Sequence, residues 1–159
     1  MGIDPRFGIA FAKAEVAAGN RLPDKGTVLV SMRAEDRSAL EDVARKLVGA
    51  GIQLLGTRGT ADFLRSCGIT CEEVNKVREG SPHTVDAIRS GSVTAVFNTV
   101  GTPESIQDSF SLRRAALESG VPYFTTAAAA LAASEGVSLL GGSEPTVRAL
   151  QDLHSDAWE

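Results

Sequence analysis

Short apolar runs alternate with helical patterns from Thr27 to Ser134, and this alternation limits the folds open to the chain more than any single residue does. Strands are expected at Thr27 to Val30, Ile52 to Leu55, within Ile69 to Val74, at Val93 to Phe97 and at Val121 to Thr125. Helices are expected at Glu35 to Ala50, from the Thr57 turn to Ser66, and at Thr84 to Ser90, Ser105 to Ser119 and Ala127 to Ser134. Such a pattern predicts an α/β fold of three layers, with a mainly parallel central sheet of about five strands and helices on both faces. Ligands of such sheets bind at the carboxyl ends of the strands, and Thr57, Asn98 and Thr125 each fall at or just after one.

The flanking segments read differently. Residues 1–25 are expected to form a lead-in helix, Phe7 to Ala18, and a Pro- and Gly-punctuated linker; residues 26–145 hold the fold proper. A tail, 146–159, completes the chain, with a helix expected from Pro145 to Leu153. The 159 residues suit one core, large enough to bury roughly two-thirds of the unfolded surface. No apolar run approaches the roughly 18–20 residues that a membrane helix needs, and Met1 to Arg6 lacks the apolar stretch of a secretory signal. The expected location is the cytoplasm. A net charge of −4 argues against nucleic acid as a partner, so any anion site must be local.

One such site is visible at Leu55-Gly56-Thr57-Arg58-Gly59-Thr60, where a strand gives way to a helix. The first N–H groups of that helix have no partner within it, glycine lets the backbone approach a ligand, and the hydroxyls of Thr57 and Thr60 add donors. A phosphate cradle and an ordinary Thr N-cap both fit these residues. Lys76, after the third strand, is placed to send an ammonium toward the same turn. Cys67 and Cys71 have no second pair or nearby His to complete a zinc site, so reduced thiols and no metal are expected. His83, beside Pro82 at a helix start, suits a cap or a crevice wall better than a general base, because no Ser or Cys stands in a recognisable triad with it. Asp62 and Asp86 read as helix-surface acids.

The longest specific motif is Asn75-Lys76-Val77-Arg78-Glu79-Gly80-Ser81-Pro82-His83 followed by Val85-Asp86-Ala87-Ile88. With Ser31 to Arg37, Phe97-Asn98-Thr99, Ser111 to Leu117 and Val121 to Thr126, it resembles the C-terminal regulatory domain of the carbamoyl-phosphate synthase large chain. That domain has the methylglyoxal synthase-like fold. The resemblance runs from about Phe7 to about Leu139 in the same order, so the chain is expected to be a fragment.

The resemblance implies an allosteric domain that binds a nucleotide such as UMP or IMP. Its phosphate would meet Arg37, Thr57, Gly59, Thr60, Lys76, Asn98 and Thr99, and Thr125 matches a residue that contacts ornithine in some relatives. Arg37 stands where relatives commonly carry Lys, and Val100 replaces a Thr, which removes one hydroxyl. The resemblance implies no cofactor and no catalytic residue here: aligned with methylglyoxal synthase, Ser81 falls where that enzyme has its catalytic Asp, and a hydroxyl cannot take a carbon-bound proton as a carboxylate can. The parent would be a ligase using ATP with Mg or Mn and K, working with a small glutaminase subunit for pyrimidine and arginine biosynthesis. A stand-alone lyase and an oligomerisation module with a vestigial crevice are the alternative readings.

Overall fold

A computed structural model describes residues 1–155. Five strands form one sheet in the order β3-β2-β1-β4-β5, with every neighbouring pair parallel. They are β1 (Thr27–Ser31), β2 (Gln53–Thr57), β3 (Glu72–Val74), β4 (Val93–Asn98) and β5 (Tyr123–Phe124). The helices are α1 (Phe7–Ala17), α2 (Arg37–Gly49), α3 (Arg58–Ser66), α4 (Thr84–Arg89), α5 (Pro103–Glu118), α6 (Ala127–Leu140) and α7 (Leu150–Ser155). The expected three-layer α/β fold is the observed one.

Alternation along β1 builds two cores. Val28 and Val30 pack on one face with Leu40, Val43, Leu47, Leu64 and Ala133, from α2, α3 and α6. Leu29 points to the other face and packs with Val85, Ile88, Leu112 and Ala115, from α4 and α5. All three β1 residues are fully buried, as the central strand of a sheet covered on both sides should be. The lead-in helix joins the first layer: Ile9 and Ala12 are buried, and α1 packs against α6. Small residues permit that contact, since a Cβ on Gly8 would come within 3.0 Å of the Gly136 nitrogen.

Several boundaries differ from expectation, each for a local reason. The long helix expected from Glu35 begins at Arg37, because Ala34–Asp36 forms a 3-10 turn first. The helix after β2 begins at Arg58, so Gly59 and Thr60 lie in its first turn rather than before it. The edge strands β3 and β5 are shorter than their apolar runs, which continue as connections where only one neighbour is available. Pro103 starts α5 two residues early, at the first helical position where its missing N–H costs nothing. The Ala-rich helix runs six residues past Ser134, to Leu140, where Gly141 in the left-handed conformation ends it. In the tail, the helix spans Leu150–Ser155, and residues 156–159 lie outside the described residues.

Candidate functional site

The strand order places β2 and β3 on one side of β1, and β4 and β5 on the other. A crevice therefore opens between the carboxyl ends of β1 and β4, where the chain direction around the sheet reverses. Ser31, Thr57, Asn98 and Thr99 line a small cleft there, with Lys76 and Val77 from the turn after β3. Its opposite wall is Thr84 at the start of α4 and Asp108, Ser109 and Leu112 on α5. The cleft measures about 50 Å3, whereas pre-formed sites for whole small molecules run from roughly 300 Å3 upward.

Local structure explains why the hydroxyls converge. Thr57 occupies the N-cap position of α3, yet its side chain makes no capping hydrogen bond. Its Oγ1 instead lies 3.4 Å from both Ser31 Oγ and Thr60 Oγ1, at the long limit of hydrogen bonding. Thr60 Oγ1 accepts a similarly long bond, 3.4 Å, from the Met32 backbone N–H. These loosely engaged hydroxyls are buried but retain capacity for a stronger acceptor. Gly56 permits the close approach of β2 to its surroundings: a Cβ there would sit 2.9 Å from Cys71 Sγ and 3.2 Å from the Ala61 nitrogen.

The predicted residues separate into groups. Thr57, Lys76, Asn98 and Thr99 share the cleft, with Thr60 hydrogen-bonded behind Thr57. Asn98 donates from Nδ2 to the Tyr123 hydroxyl at 2.5 Å, which fixes the amide's orientation. Arg37 is exposed, and its guanidinium lies 5.3 Å from the centre of the Phe63 ring rather than on the cleft lining. Gly59 is exposed on the first turn of α3 and Thr125 is exposed between β5 and α6; neither lines the cleft. Val100 is also absent from the lining.

Sequence reasoning missed the opposite wall. Asp108 holds Arg78 at 2.8 Å, which ties the turn carrying Lys76 to α5. Thr84 is 1% exposed, and its Oγ1 is the buried side-chain oxygen without a hydrogen-bond partner among the described residues. Asp108 gives a sequence signal only through its place on the α5 face, and a lone Thr at a helix start gives none.

His83 is the N-cap of α4: its Nδ1 accepts from the Asp86 backbone N–H at 3.3 Å, and Asp86 Oδ2 accepts from the His83 N–H at 3.0 Å. Ser81 donates to the same carboxylate at 2.8 Å. That bond, then the His83 N–H, holds the Asp86 carboxyl below its ordinary range. Cys67 is half-buried and Cys71 buried, both as free thiols, and burial pushes Cys71 up to about 11, so it stays protonated at neutral pH. A larger hollow of about 730 Å3 lies between α1 and residues 140–150, but none of the predicted site residues lines it. The strand-end cleft is the candidate site because polar groups converge there.

The model of the MGS-like domain family matches residues 39–125. A carbamoyl phosphate synthase large chain of Methanothrix thermoacetophila is 42% identical over 156 residues, which is 98% of this chain and 14% of that one. A C-terminal section of the same large chain from Methanopyrus kandleri is 46% identical over 159 residues, 99% of this chain and 29% of that one. The chain thus spans less than a third of the length of either relative. The crystal structure of methylglyoxal synthase from Elizabethkingia anophelis shares the fold, with a TM-score of 0.56 and 16% identity over 69% of this chain and 76% of that one. No helix among the described residues is long and apolar enough to cross a membrane. The family model covers more than half of the chain, so the chain belongs to the MGS-like domain family.

Proposed function

We propose that this chain is the allosteric effector-binding domain of a carbamoyl phosphate synthase large chain, and that its strand-end cleft takes the phosphate of a nucleotide such as UMP or IMP. The observation that carries the reading is Thr57, which holds the N-cap position of α3 without spending its hydroxyl on the helix. That hydroxyl and the exposed Lys76 line one cleft, beside Asn98. A loosely engaged hydroxyl, a lysine on the same lining and the positive end of a nine-residue helix favour a phosphate.

The size of the cleft adds a requirement. About 50 Å3 is well below the roughly 300 Å3 at which pre-formed sites for whole small molecules begin. A nucleotide must therefore part the walls, and the turn bearing Lys76, tied to α5 through Arg78 and Asp108, is the side that gives way. Binding coupled to such a movement is how an effector would bias two states of a larger enzyme, with coupling of roughly 1–3 kcal/mol. The parent's ligase chemistry with ATP, Mg or Mn and K, its other domains and its glutaminase subunit belong to the same proposal. An ornithine site at Thr125 would need a wall from one of those domains, since Thr125 is exposed here.

Isothermal titration with UMP, IMP and inorganic phosphate tests the reading. Binding of one nucleotide, weakened by phosphate in competition, supports it. Failure of both nucleotides to bind overturns it.

A further inference from the structure

Thr84 is 1% exposed, lines the strand-end cleft and has an Oγ1 with no hydrogen-bond partner among the described residues. A buried hydroxyl left unpaired costs free energy, and the fold could have avoided the cost with Val, which has nearly the same shape. We infer that Thr84 is a specificity-determining residue, whose hydroxyl hydrogen-bonds a polar edge of the nucleobase once the cleft opens. The inference rests on the cleft being a nucleotide site.

Electrostatics decides which part of the ligand meets Thr84. The strand-end side of the cleft carries Thr57 and Asn98, with the cationic Lys76 on the same lining, all suited to a dianion. The helix side carries the Asp108 carboxylate, which repels phosphate even though Arg78 pairs with it at 2.8 Å. Phosphate therefore seats against the strand ends, and the uncharged nucleoside lies along α4 and α5. On that side Val77 and Leu112 offer apolar surface for a flat ring, and the Ser109 hydroxyl already donates to the Ile106 carbonyl at 2.6 Å. Thr84 is left as the donor without a partner. Ligands with a carbonyl or ring nitrogen at that edge gain its hydrogen bond, and ligands without one leave the hydroxyl buried and unpaired.

The test uses the whole chain, with UMP, IMP and ribose 5-phosphate as ligands and Thr84→Val and Thr84→Ser as variants. Thr84→Val should lose about five- to tenfold in affinity for the nucleotide that wild type prefers, the scale of one buried hydrogen bond. Its affinity for ribose 5-phosphate should hold, and Thr84→Ser should restore most of the nucleotide affinity. The ligand-free Thr84→Val chain should melt at the same temperature as wild type or higher, because no protein partner is lost.

Equal nucleotide affinity in wild type and Thr84→Val overturns the inference while leaving the proposed function standing. An equal loss for ribose 5-phosphate overturns the assignment to the base, and a lower melting temperature shows a structural role instead. If wild type binds no nucleotide, the proposed function fails and this inference fails with it.

Discussion

The hydroxyl of Thr99 accepts a 3.0 Å hydrogen bond from the backbone N–H of Arg33. The bond joins the chain leaving β4 to the chain leaving β1, across the point where the strand order reverses. A second bond, 3.0 Å from the Thr99 N–H to the Ser31 carbonyl, closes the same seam. The cleft floor is thus held by the backbone, and its ligand-facing side chains sit on a fixed frame.

Thr99→Val tests that role. Valine keeps the volume but leaves the Arg33 N–H without its acceptor, so unfolding free energy should fall by about 1–2 kcal/mol in urea titrations. The Thr99 hydroxyl already accepts the Arg33 N–H and helps to hold the Asp36 carboxyl low, so it is turned toward the seam rather than toward an anion. Nucleotide affinity should therefore change less than in Lys76→Ala. A stable Thr99→Val variant with abolished binding would reverse this assignment.

Asp36 gives the seam a pH dependence. The Arg33 guanidinium, 2.9 Å away, holds its carboxyl below the ordinary range, and the Thr99 hydroxyl assists. A carboxylate with a depressed value adds stability above its unfolded pKa of about 3.9, and that stability is lost as pH falls through the lower folded value. Asp36→Asn should be less stable than wild type at pH 7, with the difference shrinking below about pH 4. Parallel stability curves for the two proteins from pH 7 to pH 3 would refute the linkage.

Two glycines in one motif should respond in opposite ways. At Gly56 an added methyl meets the buried Cys71 Sγ at 2.9 Å and the Ala61 backbone nitrogen at 3.2 Å. Gly56→Ala should destabilise by about 1–3 kcal/mol, with partial recovery when Cys71→Ala is added. At Gly59 the methyl meets nothing within 4 Å. Gly59→Ala should raise ligand-free stability by roughly 0.5–1 kcal/mol, since Gly59 is helical. If a nucleotide phosphate approaches the first turn of α3, the same substitution should weaken its binding. Denaturation with and without UMP or IMP reads both signs.

The sheet was legible because apolar runs of strand length and helices with one apolar face report burial directly, as Val28, Leu29 and Val30 on β1 show. Thr57 and Asn98 were legible because chain order in a parallel sheet puts strand ends on one rim. Arg37 was different. Its placement over Phe63 depends on how α2 packs beside α3, which local sequence does not encode. Thr84 and Asp108 face the strand ends only because α4 and α5 pack together on one side of the sheet. The 3-10 turn at Ala34–Asp36 combines a local pair, Arg33 with Asp36, with the Arg33 N–H donating to Thr99, a contact remote in sequence. Groups at the ends of the inner strands β2 and β4 could be read, whereas Thr125 after the edge strand β5 and the groups positioned by the packing of helices could not.

Lys76 separates binding from folding most sharply. It is exposed, at a turn whose backbone is held by its own N–H donating to Glu79 Oε2 at 2.7 Å, so the side chain is dispensable for the turn. Lys76→Ala should change stability by within about 0.5 kcal/mol. It removes the mobile positive charge at the cleft while leaving the Thr57 hydroxyl and the free amides of α3, so nucleotide binding should weaken by roughly 1.5–3 kcal/mol. Thr57→Val should weaken binding by about 0.5–1.5 kcal/mol, the value of one neutral hydrogen bond. Raising the salt concentration should weaken wild-type binding more than Lys76→Ala binding, because an exposed ion contact is screened and a neutral one is not. Titration calorimetry with UMP and IMP at two ionic strengths distinguishes the two. Equal affinities in wild type and Lys76→Ala would place the phosphate elsewhere than beside Thr57.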